Sequence, residues 1–162
     1  MTDIVIDVVG KGQFTATTCW FASYRMLYSW KHADEKTIPN KITGAGLDFK
    51  AMTVRGIFPE ELVKAGTALG MAGRAASAVR DYDLDTWSAR LTAFGPHWVA
   101  TQKVGIGHAI VVYGVDKEMK QLHVYDPYNR FQPGTVEKTY WTLQGMQDKL
   151  AIYPFAVQVW AG

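Results

Sequence analysis

The chain changes period near residue 96, and that change limits the fold more than any other feature. Upstream, Cys19, Ala22, Ser23, Met26, Leu27 and Trp30 recur at i, i+3, i+4 and i+7. That spacing is the mark of a helix burying one stripe. It predicts a helix from about Thr18 to Lys31, with Thr17 or Thr18 as its cap. Pro59-Glu60-Glu61 opens a second helix, with proline in its first turn and acids near its positive end, running to Gly70 or Gly73. A third spans Leu84 to Phe94, where Gly95-Pro96 stops it. Downstream, HWVATQ, GHAIVVYGVD, QLHVYD and FAVQVW are rich in Val, Ile and aromatics and predict strands. Lys117–Lys120 reads as a hairpin connection, and WTLQGMQDKL as a short helix before the last strand. Helices first and strands afterwards is an α+β order, not an alternating one. Residues 4–9 predict a further short strand, and residues 32–57 yield only a helical piece near Leu47–Met52. With no repeat and no linker, residues 1–162 read as a single domain, whole or excised from a longer chain.

Composition removes several classes. Hydrophobic residues at 48% and charged residues at 20% in 162 positions are ordinary globular usage, enough to bury a core. A net charge of +2 without a basic run gives nucleic-acid binding no support. Apolar runs such as Ala109–Tyr113 fall far short of the ~20 residues that a membrane span needs. The first residues carry acids and no basic stretch, so they do not read as a cleavable signal, and a cytoplasmic site of action is expected. The single cysteine, Cys19, forbids an intramolecular disulfide and a cysteine-cluster zinc site. It is either a small buried hydrophobe or a reactive thiol.

Its surroundings bear on that choice. Cys19 falls in the first turn of the predicted helix, where orphan N–H groups and the helix dipole favour an anion. A cysteine nucleophile needs a base, a group that orients the base, and donors for the oxyanion. Gln13, six residues upstream, can bring its amide beside the Cys19 N–H. Among the histidines at 32, 97, 108 and 123, His108 opens the most apolar strand, and the glycine before it leaves room for a ligand backbone. If the strands at 109–115 and 121–126 form a hairpin, antiparallel pairing brings Asp126 back beside His108. The plainer reading of Asp126 is an Asp-Pro turn.

QFTATTCWFASYRMLYSW resembles the Gln-x5-Cys-Trp segment of papain-like cysteine peptidases. GHAIVVYGVD and LHVYDPYN are similar to their histidine strand and their Asn/Asp strand, and GPHWVA to a strand of the bacterial effector branch. The resemblance runs from Gln13 to Asn129 and is nearest to the compact bacterial branch: the peptidase domains of bacteriocin-processing transporters and papain-like effector or toxin proteases. It implies an α+β papain-like fold with the nucleophile helix packed on a C-terminal antiparallel sheet. It also implies Cys19 as nucleophile, His108 as base and acid, Asp126 as orienter, Gln13 as oxyanion donor and Trp20 as a packing residue. Papains carry asparagine as orienter and several disulfides; this chain has Asp126 and one cysteine. Residues 32–95 match nothing in the family pattern.

The activity so implied is a thiol endopeptidase working through an acyl-enzyme, with a protein or peptide as substrate and no metal or organic cofactor. By analogy with the transporter relatives, cleavage after paired glycines is expected. By analogy with effector payloads, a cognate inhibitor or immunity protein is expected. Other thiol acyl-transfer enzymes share such a scaffold, among them cell-wall amidases, deamidases and ubiquitin-like-protein hydrolases, and so could a non-catalytic binding module. Fold alone does not separate them.

Overall fold

The computed structural model describes residues 3–103 and 106–162. One antiparallel sheet organises them, in the order β2 (Met71–Arg74), β7 (Val157–Trp160), β3 (His97–Lys103), β4 (Ile106–Asp116), β5 (Gln121–Asp126) and β6 (Glu137–Thr142). A short β1 (Ile4–Val5) pairs with Val115 and Gly114 of β4, beyond the end of β3. Each strand run expected from the second half is present. The N-terminal strand is shorter than the expected 4–9, and β2, which lies in the first half, joins the sheet by pairing with β7.

Side chains alternate across this sheet, and each face receives its own layer. Trp98 and Ala100 of β3 and Ala109, Val111 and Tyr113 of β4 face α1 (Cys19–Trp30). Val99, Ile110, Val112, Leu122 and Val124 face the other way, against Trp87 and Leu91 of α6 (Leu84–Phe94) and Met146 of α7 (Leu143–Lys149). The expected limits of α6 hold: Asp83 accepts from the Thr86 N–H at 2.7 Å at its start, and Gly95 ends it.

Helix α1 departs from the one-stripe expectation. Trp20, Tyr24 and Tyr28 are fully buried along with Met26 and Leu27. The reason is a second wall of short helices, α2 (Ile38–Gly44), α3 (Phe49–Arg55) and α4 (Leu62–Ala68), on the side away from the sheet. Buried tyrosine hydroxyls need partners. Tyr24 donates to Gln158 Oε1 at 2.7 Å and Tyr28 to the Leu69 carbonyl at 3.0 Å. The elements β2, β6, α2 and α5 (Ala76–Val79) went unread. Among the described residues no helix is long and apolar enough to cross a membrane.

Candidate active site

The start of α1 is held from three directions. Thr18 occupies the N-cap position, but its hydroxyl turns back, accepting from the Thr15 N–H and donating to the Thr15 carbonyl, both at 3.2 Å. The expected side-chain cap is therefore absent, and the first N–H groups of the helix are not used by one. Thr17 donates to the Thr53 carbonyl at 2.7 Å, which ties the loop to α3. Trp98 Nε1 donates to the Trp20 carbonyl at 3.1 Å, which ties the helix to β3. Trp20 itself is wholly buried, as a packing residue should be. Cys19, at the head of this fixed helix, is 7% exposed.

The hairpin expected for 109–115 and 121–126 is present, with Val111 opposite Tyr125. Continued one step, that register sets Asp126 diagonally across from His108, within reach for side chains on one face. His108 Nε2 lies 2.6 Å from Asp126 Oδ1, with both side chains about nine-tenths buried. A carboxylate only accepts, so Nε2 donates and Nδ1 is the nitrogen left for Cys19. Cys19 and the His108 ring border the same cleft, close enough for the thiol to act on the imidazole. Burial by itself pulls the imidazole down, but the bonds to Asp126 and Cys19 and the charges there outweigh it and hold His108 up at about 9. Asp126 Oδ1 also accepts from the Tyr128 N–H at 2.9 Å. The Asp-Pro turn and the histidine contact are thus both real.

Gln13 stands apart from these three. Its main-chain N–H donates to the Pro127 carbonyl at 2.9 Å, so it is anchored to the turn that follows Asp126. Its side-chain Nε2 donates to the Thr15 carbonyl at 2.6 Å, and its Oε1 is buried without a partner among the described residues. It lines a separate hollow with Thr15, Tyr128 and Asn129 rather than the cleft beside Cys19. Nε2 carries two hydrogens, and the Thr15 carbonyl uses one.

The other histidines do other work. His97 is fully buried against Trp87, its Nδ1 2.9 Å from the Gly95 carbonyl, and burial pushes it down to about 3. His123 packs edge-on against Tyr113 and Tyr140. His32 follows the end of α1 with a left-handed φ of 57°. Asn129 is a turn residue, its Oδ1 accepting from the Phe131 and Gln132 N–H groups.

Cys19 and His108 open on a cleft of about 280 Å³ with mostly apolar walls, among them Leu62, Trp98, Ala100, Ala109 and Tyr153. Gly107, before the histidine, borders it and leaves open space where a Cβ would sit. A further wall is the segment Arg55–Pro59, which the sequence reading did not single out as part of a site. A signal for it exists: Arg55 and Glu61 bracket a Gly-x-x-Pro turn with opposite charges. A thiol, an imidazole and a carboxylate in series beside an apolar cleft can form and resolve a thioester on a bound acyl group.

A solved structure of a double glycine motif protease from an AMS/PCAT transporter, in complex with the leader peptide, superposes with a TM-score of 0.51. The two sequences are 13% identical, and the alignment covers 98% of this chain and 96% of that one. The likeness is one of fold. No curated protein sequence matches the chain. The sequence profile of the family described as papain-like cysteine protease AvrRpt2 matches residues 2–140. An α+β fold with a buried cysteine heading its central helix accords with that match, and the chain belongs to the family of the papain-like cysteine protease AvrRpt2.

Proposed function

We propose that this cysteine protease is an endopeptidase whose Cys19, His108 and Asp126 act as nucleophile, general acid–base and orienter. The single observation carrying the assignment is the 2.6 Å contact from His108 Nε2 to Asp126 Oδ1, in a ring that shares its cleft with Cys19. The mechanism follows from that order. His108 takes the thiol proton, and the thiolate adds to the carbonyl carbon of the scissile bond. The oxyanion draws on the Cys19 N–H and on Gln13, whose second Nε2 hydrogen is the donor. As the C–N bond breaks, His108 returns the proton to the leaving amine and a thioester remains on Cys19. His108 then takes a proton from water, which attacks the thioester and frees the acid. Asp126 keeps Nε2 protonated and steadies the imidazolium throughout.

The substrate in this reading is a protein segment in extended form, cut after small residues such as paired glycines, with an apolar side chain in the cleft. The setting is a bacterial effector or toxin domain, spanning residues 1–162, that acts in a cytoplasm and is restrained by an inhibitor in the cell that makes it. Mass spectrometry of a proteome exposed to the protein and to Cys19→Ala tests the activity. New termini that depend on Cys19 are expected, clustered by sequence. Identical termini in both samples refute endopeptidase action.

A further inference from the structure

The Arg55–Pro59 wall of the cleft is held by a set of contacts that the chemistry of Cys19 does not require. Helix α3 ends at Arg55, and Gly56 then takes a φ of 87°, a left-handed turn that only glycine adopts freely. The chain runs past Ile57 and Phe58 into a tight turn at Pro59–Glu61. Glu61 is buried, and its carboxylate accepts three bonds: from Arg55 Nη1 at 2.8 Å, from Arg55 Nη2 at 2.9 Å and from the Phe58 N–H at 2.8 Å. Arg55 Nη1 also donates to the Gly56 carbonyl at 2.9 Å, and its guanidinium lies 3.9 Å from the centre of the Phe58 ring. The fork thus grips the segment at both ends.

The main chain between those ends is consequential. The Gly56 N–H goes to the Met52 carbonyl, the Gly56 carbonyl to Arg55, the Phe58 N–H to Glu61 and the Phe58 carbonyl to the Glu61 N–H. Ile57 alone in this stretch has a main-chain N–H and carbonyl with no partner among the described residues, and it borders the cleft. Ile57 thus leaves one unspent main-chain pair in the segment that borders the cleft, at a place fixed by the ion pair.

We propose that Arg55 and Glu61 are a positioning pair that sets the Gly56–Pro59 wall, and through it the grip on an extended peptide, without taking part in bond making. The proposal rests on the reading of Cys19 as nucleophile. Bidentate geometry, the stack on Phe58 and the bond to Gly56 all need a guanidinium, so a lysine at position 55 keeps the charge and loses the device.

Two reagents separate the wall from the thiol. Iodoacetamide reaches a thiol without a peptide-binding wall, whereas N-acetyl-leucyl-glycyl chloromethyl ketone must lie along the cleft to react. For Arg55→Lys and Glu61→Gln, the second-order rate with the chloromethyl ketone should fall roughly ten- to hundred-fold, the scale of a misplaced binding element. The loss should appear as a weaker KI with the maximal inactivation rate retained. Iodoacetamide labelling of Cys19 should hold at the parent rate. The Arg55 side chain is 32% exposed, so Arg55→Lys carries the test if Glu61→Gln does not fold. An unchanged KI in a folded variant, or equal losses with both reagents, overturns the proposal. If the parent protein reacts with neither reagent faster than free cysteine does, the assignment of Cys19 is what has failed.

Discussion

His108 Nε2 and Asp126 Oδ1 meet at 2.6 Å, and the same oxygen also receives the Tyr128 N–H at 2.9 Å. The turn after β5 therefore fixes the carboxylate before the histidine uses it. An asparagine at 126 could still offer an oxygen to both donors, so geometry does not demand a charge there. What the charge adds is electrostatic: it helps to hold His108 at about 9 against the burial that pulls it down.

That addition has a measurable pH dependence. The base-side fall of kcat/KM is expected near pH 9, where His108 loses its proton. In Asp126→Asn this limb should move to lower pH while some activity remains. A limb that stays in place would show that Asp126 does not set the histidine. The sign for stability is the same. Folded His108 lies above its ordinary 6.5, so its contribution is complete below that value and is lost as pH rises through about 9.

Cys19→Ala and His108→Ala should each abolish turnover and leave the fold intact, since both groups border a cleft. His97→Ala should do the reverse. It empties a fully buried site against Trp87 and should cost roughly 2–5 kcal/mol, as large-to-small core changes do. Thermal melts beside single-turnover rates separate the two classes. If His97→Ala stays as stable as the parent yet loses turnover, the roles of the two histidines have been misassigned.

Much of this was legible because the residues concerned sit in strongly patterned elements. The apolar run of β4 and the alternation of β5 define a hairpin, and the hairpin alone brings Asp126 back to His108. Helix α6 is bounded by Asp83 and Gly95, both plain in the sequence. What escaped depends on tertiary pairing. Strand β2, Met-Ala-Gly-Arg, has little β character of its own and is a strand because β7 pairs with it. β6 begins Glu-Lys and lies at the sheet's edge, exposing Lys138 and Tyr140. The full burial of Tyr24 and Tyr28 needs partners from 41 and 134 residues away. The cleft wall is a backbone shape held by an ion pair, for which hydrophobic period carries no signal.

Gly12 supplies a local test of how the loop before α1 is held. A Cβ there would lie 2.3 Å from the Gly134 carbonyl oxygen, which is backbone and cannot rotate away. Gly12→Ala should therefore push residues 10–13 off the 132–135 turn and cost roughly 1–3 kcal/mol, in the range of other overpacking changes. Because Gln13 is the next residue, kcat should fall as well. A stable, fully active Gly12→Ala would show that this contact positions nothing.

Gln13→Ala isolates the oxyanion role. The side chain is 6% exposed, with Nε2 bonded to the Thr15 carbonyl at 2.6 Å, and the main chain is anchored to Pro127. Removing the amide leaves those main-chain anchors in place, so the loop should survive. If the second Nε2 hydrogen serves the oxyanion, kcat should drop by roughly 10²–10³-fold, or about 2.7–4 kcal/mol, as loss of one such donor does elsewhere. KM should move little, because the bond strengthens only as charge develops on the oxygen. The Thr15 carbonyl competes for the same amide, so a structure with an acyl-enzyme mimic on Cys19 should show Nε2 turned towards the Cys19 N–H. An amide still facing the hollow beside Tyr128 in that complex, together with an undiminished kcat in Gln13→Ala, would assign the oxyanion to the free N–H groups at the head of α1 instead.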